Sequence, residues 1–257
     1  MRSASVGQQC VDCVSEGTRS TRQASTAFGG RPTASATVTW ILVAINVAVF
    51  LVTWVRPGIV NDLEMLGYAA YFQGGALHGV AAGEWYRLIT AAFLAPATGL
   101  GGLGFADILF NMWALVFVGP ALEGLLGRWR FVAVYLLSAV GGNVMYYFLA
   151  PQNDPAVGAS GAIFGLFGAW FVVSRRLRLN TRQIVGLIVL NLALSFWLHN
   201  IIAWQAHVGG LLTGALLTAV YAYAPRTNRT AIQVAATVGV VALIVVAILV
   251  RNGQLNP

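Results

Sequence analysis

Along most of this chain, apolar residues do not alternate with polar ones. They run on for a helix's length at a time. Residues 37–55, 107–126, 131–150, 157–174, 183–198, 200–223 and 231–250 form such runs, each close to the roughly 20 apolar residues that a bilayer-crossing helix needs. The pattern predicts seven helices, the fifth short and tightly connected to the sixth around His199 and Asn200. Between the first two runs, residues 56–106 carry aromatics, many glycines and few charges, which predicts amphipathic helices lying in the membrane interface. Residues 1–36 are polar and small, lack the short apolar run and cleavage site of a signal peptide, and read as a mostly disordered tail. No internal repeat is visible, which argues against an inverted-repeat transporter.

Composition narrows the class. Of 257 residues, 58% are hydrophobic and only 9% charged, against about 25% charged in soluble domains. The mean hydropathy is +0.75. The reading is an all-α polytopic membrane protein. The net charge of +7 does not indicate a nucleic-acid binder, because the 15 basic residues, all Arg, punctuate the apolar runs instead of forming a patch. If the amino terminus is cytoplasmic, twelve arginines fall on inside segments and three (Arg56, Arg87 and Arg251) on outside ones. That partition follows the positive-inside rule and puts the carboxy terminus outside. Abundant Ala and Arg without Lys suggest a bacterial plasma membrane.

Polar residues inside the runs carry the candidate chemistry. A hydroxyl or imidazole in hydrocarbon is costly without partners, so it suggests function by default. Ser160 lies 15 residues from Arg175, Asn111 17 residues from Arg128 and His207 19 residues from Arg226. At 1.5 Å per helical residue these separations are about 22, 25 and 28 Å. The three residues therefore share one layer, nearer the outer face. Gly161, Gly165 and Gly168 mark one face of the fourth helix, and Gly210 and Gly214 lie on the His207 face of the sixth. Small residues of this kind let membrane helices approach closely.

A serine hydroxyl is a weak nucleophile that needs a neighbouring base, and imidazole suits that role. Ser160 begins a helix, whose first amides lack intrahelical partners and favour negative charge. Asn111 at similar height can add an amide for an oxyanion. No acidic residue from another run sits at that depth, so the pattern predicts a Ser160–His207 dyad instead of a triad. Glu123 is expected to pair with Arg128 or Arg130. Arg87 is expected to tie the long loop to a carbonyl or headgroup, with His78 and His199 solvated in loops.

The segments Gly158-Ala159-Ser160-Gly161, His207 with its following glycines, Ile108-Leu109-Phe110-Asn111 and Glu84-Trp85-Tyr86-Arg87 resemble the rhomboid intramembrane serine proteases. The resemblance covers about residues 37–225, a six-helix core, with residues 226–257 forming an extra carboxy-terminal helix and tail. It implies Ser160 as nucleophile, His207 as base, and Asn111 with the Ser160 amide as oxyanion donors. It also implies cleavage of single-span transmembrane proteins near the outer membrane face, with no cofactor. Two positions depart from the family pattern. Asp107 stands where a histidine usually faces the oxyanion, leaving Asp107 as a substitute oxyanion-site residue or a source of impairment. Phe93-Leu94 is followed by Ala95 and a Gly-rich insertion instead of a second histidine. The alternative reading is thus a catalytically impaired relative that binds transmembrane clients. Cys10 and Cys13 form one CxxC, at most half of the four-ligand set of a structural zinc site.

Overall fold

The computed structural model of the chain describes residues 2–3, 8–20, 25–30, 35–70, 75–95 and 103–255. A two-residue strand pair, β1 (Arg2–Ser3) and β2 (Gln8–Gln9), precedes helix α1 (Val11–Ser20). Long apolar helices follow: α2 (Thr37–Val55), α5 (Leu103–Leu126), α6 (Arg128–Leu149), α7 (Ser160–Arg176), α8 (Arg182–Trp197), α9 (Trp204–Tyr223) and α10 (Arg229–Leu255). Between α2 and α5 lie two short helices, α3 (Ile59–Leu63) and α4 (Arg87–Thr90), and a two-residue antiparallel pair, β3 (Ala69–Ala70) and β4 (Leu77–His78).

Among the described residues five helices, α2, α5, α6, α9 and α10, are long and apolar enough to cross a membrane. Helices α7 and α8 are shorter, at 17 and 16 residues. The short α7 is also the most enclosed, with Ala162, Leu166, Ala169 and Val173 wholly buried. It packs against α9 and α6, which also pack on each other, and α5 closes a further side. The outer helices show the opposite character. On α2 the buried stripe is Thr39, Leu42, Asn46, Phe50 and Thr53, while Trp40, Leu51 and Trp54 face outward. On α10 only Gln233 and Ile248 are buried, and Val238, Leu243 and Val246 are exposed. Exposed apolar faces on this scale suit lipid as the surrounding solvent.

Glycine sets the closeness of the centre. A Cβ on Gly210 would overlap the Gly161 carbonyl, and one on Gly214 would overlap the Gly165 carbonyl. Helices α7 and α9 thus meet backbone to backbone along the faces expected from sequence. At the arginine-bearing end, Glu123 is fully buried and caps α2, accepting from the amides of Val38 and Thr39 at 3.0 and 2.9 Å and from the Thr39 hydroxyl at 2.9 Å. It also pairs with Arg128 at 3.8 Å. Arg130, the other expected partner, instead donates Nε to Gln233 Oε1 at 2.8 Å, because α10 brings an amide within reach.

Two expectations about the non-spanning parts need correction. The amino-terminal tail is not uniformly without structure. Helix α1 forms, and Phe28 is buried in the main hydrophobic cluster. A bulky ring that finds a core outweighs the low average hydropathy around it. The region 56–106 does not form amphipathic helices of interfacial length in its described part. Its pieces are five residues or shorter, and side-chain bonds to backbone carbonyls hold them together. Arg87 is almost fully buried and donates Nη1 to the carbonyls of Asn61 at 2.8 Å and Glu64 at 3.0 Å, and Nε to Glu84 at 2.6 Å. Glu84 also accepts from the Gly79 amide at 2.6 Å and bonds His78 Nδ1 at 3.0 Å. His78 is therefore part of this network, whereas His199 is exposed, with its Nδ1 3.2 Å from the Phe196 carbonyl. Of the insertion at 95–104, residues 96–102 lie outside the described residues.

Candidate active site

The loop determines how the chain enters α7. Met65 and Ala156 exchange two backbone hydrogen bonds, each 2.9 Å, and the Gly158 amide donates to the Ala91 carbonyl at 3.0 Å. Asn143 of α6 fixes the loop from beneath, donating Nδ2 to the Leu88 carbonyl at 2.8 Å. Gly158 has φ 140°, a region that side chains other than glycine rarely occupy. Its turn delivers Ser160 as the first residue of α7. Ser160, Gly161 and Ala162 lie in the first turn, where amides lack intrahelical partners and the helix dipole is positive.

His207 lies in the first turn of α9 and is 6% exposed. Its Nε2 is 2.8 Å from Ser160 Oγ. The Phe164 ring stacks on the imidazole, with centroids 4.2 Å apart and planes 14° from parallel. Phe164 follows Ser160 by one helical turn, so α7 supplies both the hydroxyl and the surface against which the ring rests. The close α7–α9 approach is what brings these side chains within reach of each other.

The second imidazole nitrogen is also occupied. His207 Nδ1 is 2.8 Å from Ser195 Oγ on α8, a residue the sequence reading passed over. Ser195 is 2% exposed and donates its own proton to the Asn191 carbonyl at 2.6 Å. The described arrangement is therefore Ser160, His207 and Ser195 in a row, not a pair alone. One signal for Ser195 was present in the sequence. Residues 195 and 207 are equidistant from residue 201, the centre of the tight α8–α9 connection, so an antiparallel pair of helices places them side by side.

Asn111 and Asp107 lie on α5, one turn apart. Asn111 Nδ2 donates to Asp107 Oδ1 at 3.0 Å. Both residues line a narrow hollow with Asn46, Phe93, Ala95 and Ala159. Asp107 Oδ2 is buried without a hydrogen-bond partner among the described residues. Ser160 Oγ and Asp107 Oδ2 both lie within 4 Å of the point that a Cβ on Gly158 would occupy. The nucleophile candidate and the α5 carboxylate thus flank one glycine. Cys10 and Cys13 are free and exposed, and the described residues hold no group of three or more His, Cys, Asp or Glu side chains positioned for a metal.

At the loop, burial alone would raise the Glu84 carboxyl. The hydrogen bonds from His78, the Gly79 amide and Arg87 outweigh it and hold the group at about 2. Glu84 is therefore a fixed anion that organises the loop over the site.

The rhomboid domain family matches residues 82–224, more than half of the chain. The rhomboid protease GluP of Bacillus subtilis is 33% identical over 190 residues, covering 72% of this chain and 34% of GluP. YdcA of the same organism is 41% identical over 145 residues, covering 54% of this chain and 69% of YdcA. Rhomboid-type serine protease 2 of Emericella nidulans is 32% identical over 158 residues, covering 59% of this chain and 30% of that protein. The chain spans about a third of the length of two of these relatives and about two thirds of YdcA.

Proposed function

The chain belongs to the rhomboid family, and on that premise we propose that it is a serine endopeptidase cleaving transmembrane segments within the bilayer. The observation that carries the reading is the 2.8 Å contact between His207 Nε2 and Ser160 Oγ, two buried or half-buried groups on different helices of a lipid-facing bundle. Ser160 Oγ attacks the scissile carbonyl carbon while His207 Nε2 takes the hydroxyl proton. The tetrahedral oxyanion is stabilised by the Ser160 amide and by the Asn111 Nδ2–H that Asp107 does not occupy. Collapse of the intermediate breaks the peptide bond, and the imidazolium returns its proton to the leaving amine. Water, deprotonated by the same imidazole, then hydrolyses the acyl-enzyme.

The arginine-rich end, where α5 meets α6, α7 meets α8 and α9 meets α10, is assigned to the cytoplasm by the positive-inside rule. Ser160 and His207 then lie towards the outer face, with the amino terminus inside and the carboxy terminus outside. Substrates of this geometry are single-span proteins whose helix unwinds near the outer membrane surface. The Asp107 Oδ2, without a partner among the described residues, favours a second reading, an impaired relative that binds transmembrane clients, since a carboxylate beside the oxyanion opposes its charge. A fluorophosphonate probe on the purified chain in detergent separates the two. Labelling that is abolished in Ser160→Ala and in His207→Ala is the expected result. Folded wild-type protein that takes no label, and cleaves no single-span substrate in proteoliposomes, overturns the peptidase reading in favour of the binder.

A further inference from the structure

Ser195 carries one proton, and the Asn191 carbonyl 2.6 Å away takes it. Toward His207 Nδ1, 2.8 Å away, the Ser195 oxygen therefore presents a lone pair. Only an Nδ1–H satisfies that contact. A neutral imidazole protonated at Nδ1 is unprotonated at Nε2, the nitrogen facing Ser160 Oγ at 2.8 Å. The opposite tautomer would set two lone pairs against each other in a buried site, at the cost of an unmade hydrogen bond. We infer that Ser195 is a positioning residue of the active site, one that holds His207 in the tautomer able to accept the Ser160 proton.

Nothing else in the helix requires this serine. Helix α8 is loosely enclosed, with Ile184 and Ser195 its only buried residues. Leu190 and Leu194 face outward, so the rest of this stretch is apolar and the polar contacts of Ser195 are those to Asn191 and His207. The hydroxyl is satisfied at the proton by Asn191, a back-bond that serines commonly make in helices, and at the oxygen by His207. An acidic residue in that place would do the same work as a neutral hydroxyl but would have to be buried ionised, at a high desolvation cost. Ser195 supplies orientation without that charge.

The inference rests on the Ser160–His207 reading, and the experiment keeps the two separable. Steady-state kinetics on a single-span substrate and the fluorophosphonate inactivation rate are compared for wild type, S195A, S195C and S195T, with S160A and H207A as controls and thermal unfolding as the check on folding. S195A and S195C are expected to lose about 10- to 100-fold in kcat, part of the factor that general-base catalysis supplies. KM should stay within about twofold, inactivation should slow in parallel, and S195T, which keeps the hydroxyl, should stay within about threefold of wild type. S195C fills the serine's space with a poor acceptor, so it decides the matter if S195A does not fold. Wild-type kcat in S195C, equal loss in S195C and S195T, or a change confined to KM overturns the role of Ser195. Activity that survives in S160A or H207A overturns the dyad itself.

Discussion

The carboxylate of Asp107 has one oxygen tied to Asn111 and another facing the Gly158 turn without a partner among the described residues. If that oxygen faces the developing oxyanion, removing its charge and supplying an amide donor should speed the reaction. Asp107→Asn is expected to raise kcat about tenfold, below the roughly 100-fold that a well-placed oxyanion donor provides, with KM unchanged. Steady-state kinetics on a single-span substrate check this, and an unaltered kcat would mean that the position does not touch the reacting oxygen. At this scale the sequence was informative where a polar residue was improbable. Ser160, His207 and Asn111 stood out because depth counted from the arginines put them in one layer. Ser195 did not, because a serine in an apolar helix commonly bonds its own carbonyl four residues back, as this one does. Its second bond depends on how two helices dock, and the spacing about the tight α8–α9 connection was the one hint of it.

Helices were legible as apolar runs, and the predicted 37–55 coincides with α2. The stretch between α2 and α5 was not, because its order comes from contacts distant in sequence. Arg87 joins residues 61, 64 and 84, and Asn143 reaches in from α6. Glu84 gives this element a pH signature. Its folded value of about 2 lies below its ordinary 4.5, so the folded state favours the ionised form. The resulting stability is fully present above about pH 4.5 and is lost as pH falls toward 2. Glu84→Gln is therefore expected to unfold at a lower temperature than wild type at pH 7. The gap between the two should close on acidification from pH 5 to 2, read from tryptophan fluorescence in detergent. A gap that does not vary with pH would show that Glu84 acts through shape and not charge.

For the molecule as a whole, orientation decides on which side of the membrane the proposed cleavage would release its product. The chain has two cysteines, Cys10 and Cys13, both exposed, so no engineered label is needed. The Cys10 thiol is pulled below its ordinary range by hydrogen bonds from the Cys13 and Asp12 amides and the Cys13 thiol, which favours the reactive thiolate. A membrane-impermeant maleimide is expected to leave intact spheroplasts unlabelled and to label the chain after lysis. Labelling of intact spheroplasts would reverse the assigned sidedness and place Ser160 nearer the cytoplasm.

At the arginine-bearing end, Gln233 is fully buried and donates Nε2 to the carbonyls of Tyr221 at 2.8 Å and Phe28 at 3.1 Å, while accepting from Arg130. Phe28 and Gln233 are 205 residues apart. At about 5–20 residues per second of synthesis, Phe28 leaves the ribosome some 10 to 40 seconds before its partner exists. The Phe28 carbonyl therefore has no Gln233 amide to meet until α10 is made, although Arg130 of α6 already donates to the neighbouring Gly29 carbonyl at 3.2 Å. A nascent chain stopped before α10 would hold Ser160 and His207 yet leave the junction of Phe28, Tyr221 and Arg130 without the amide that ties it.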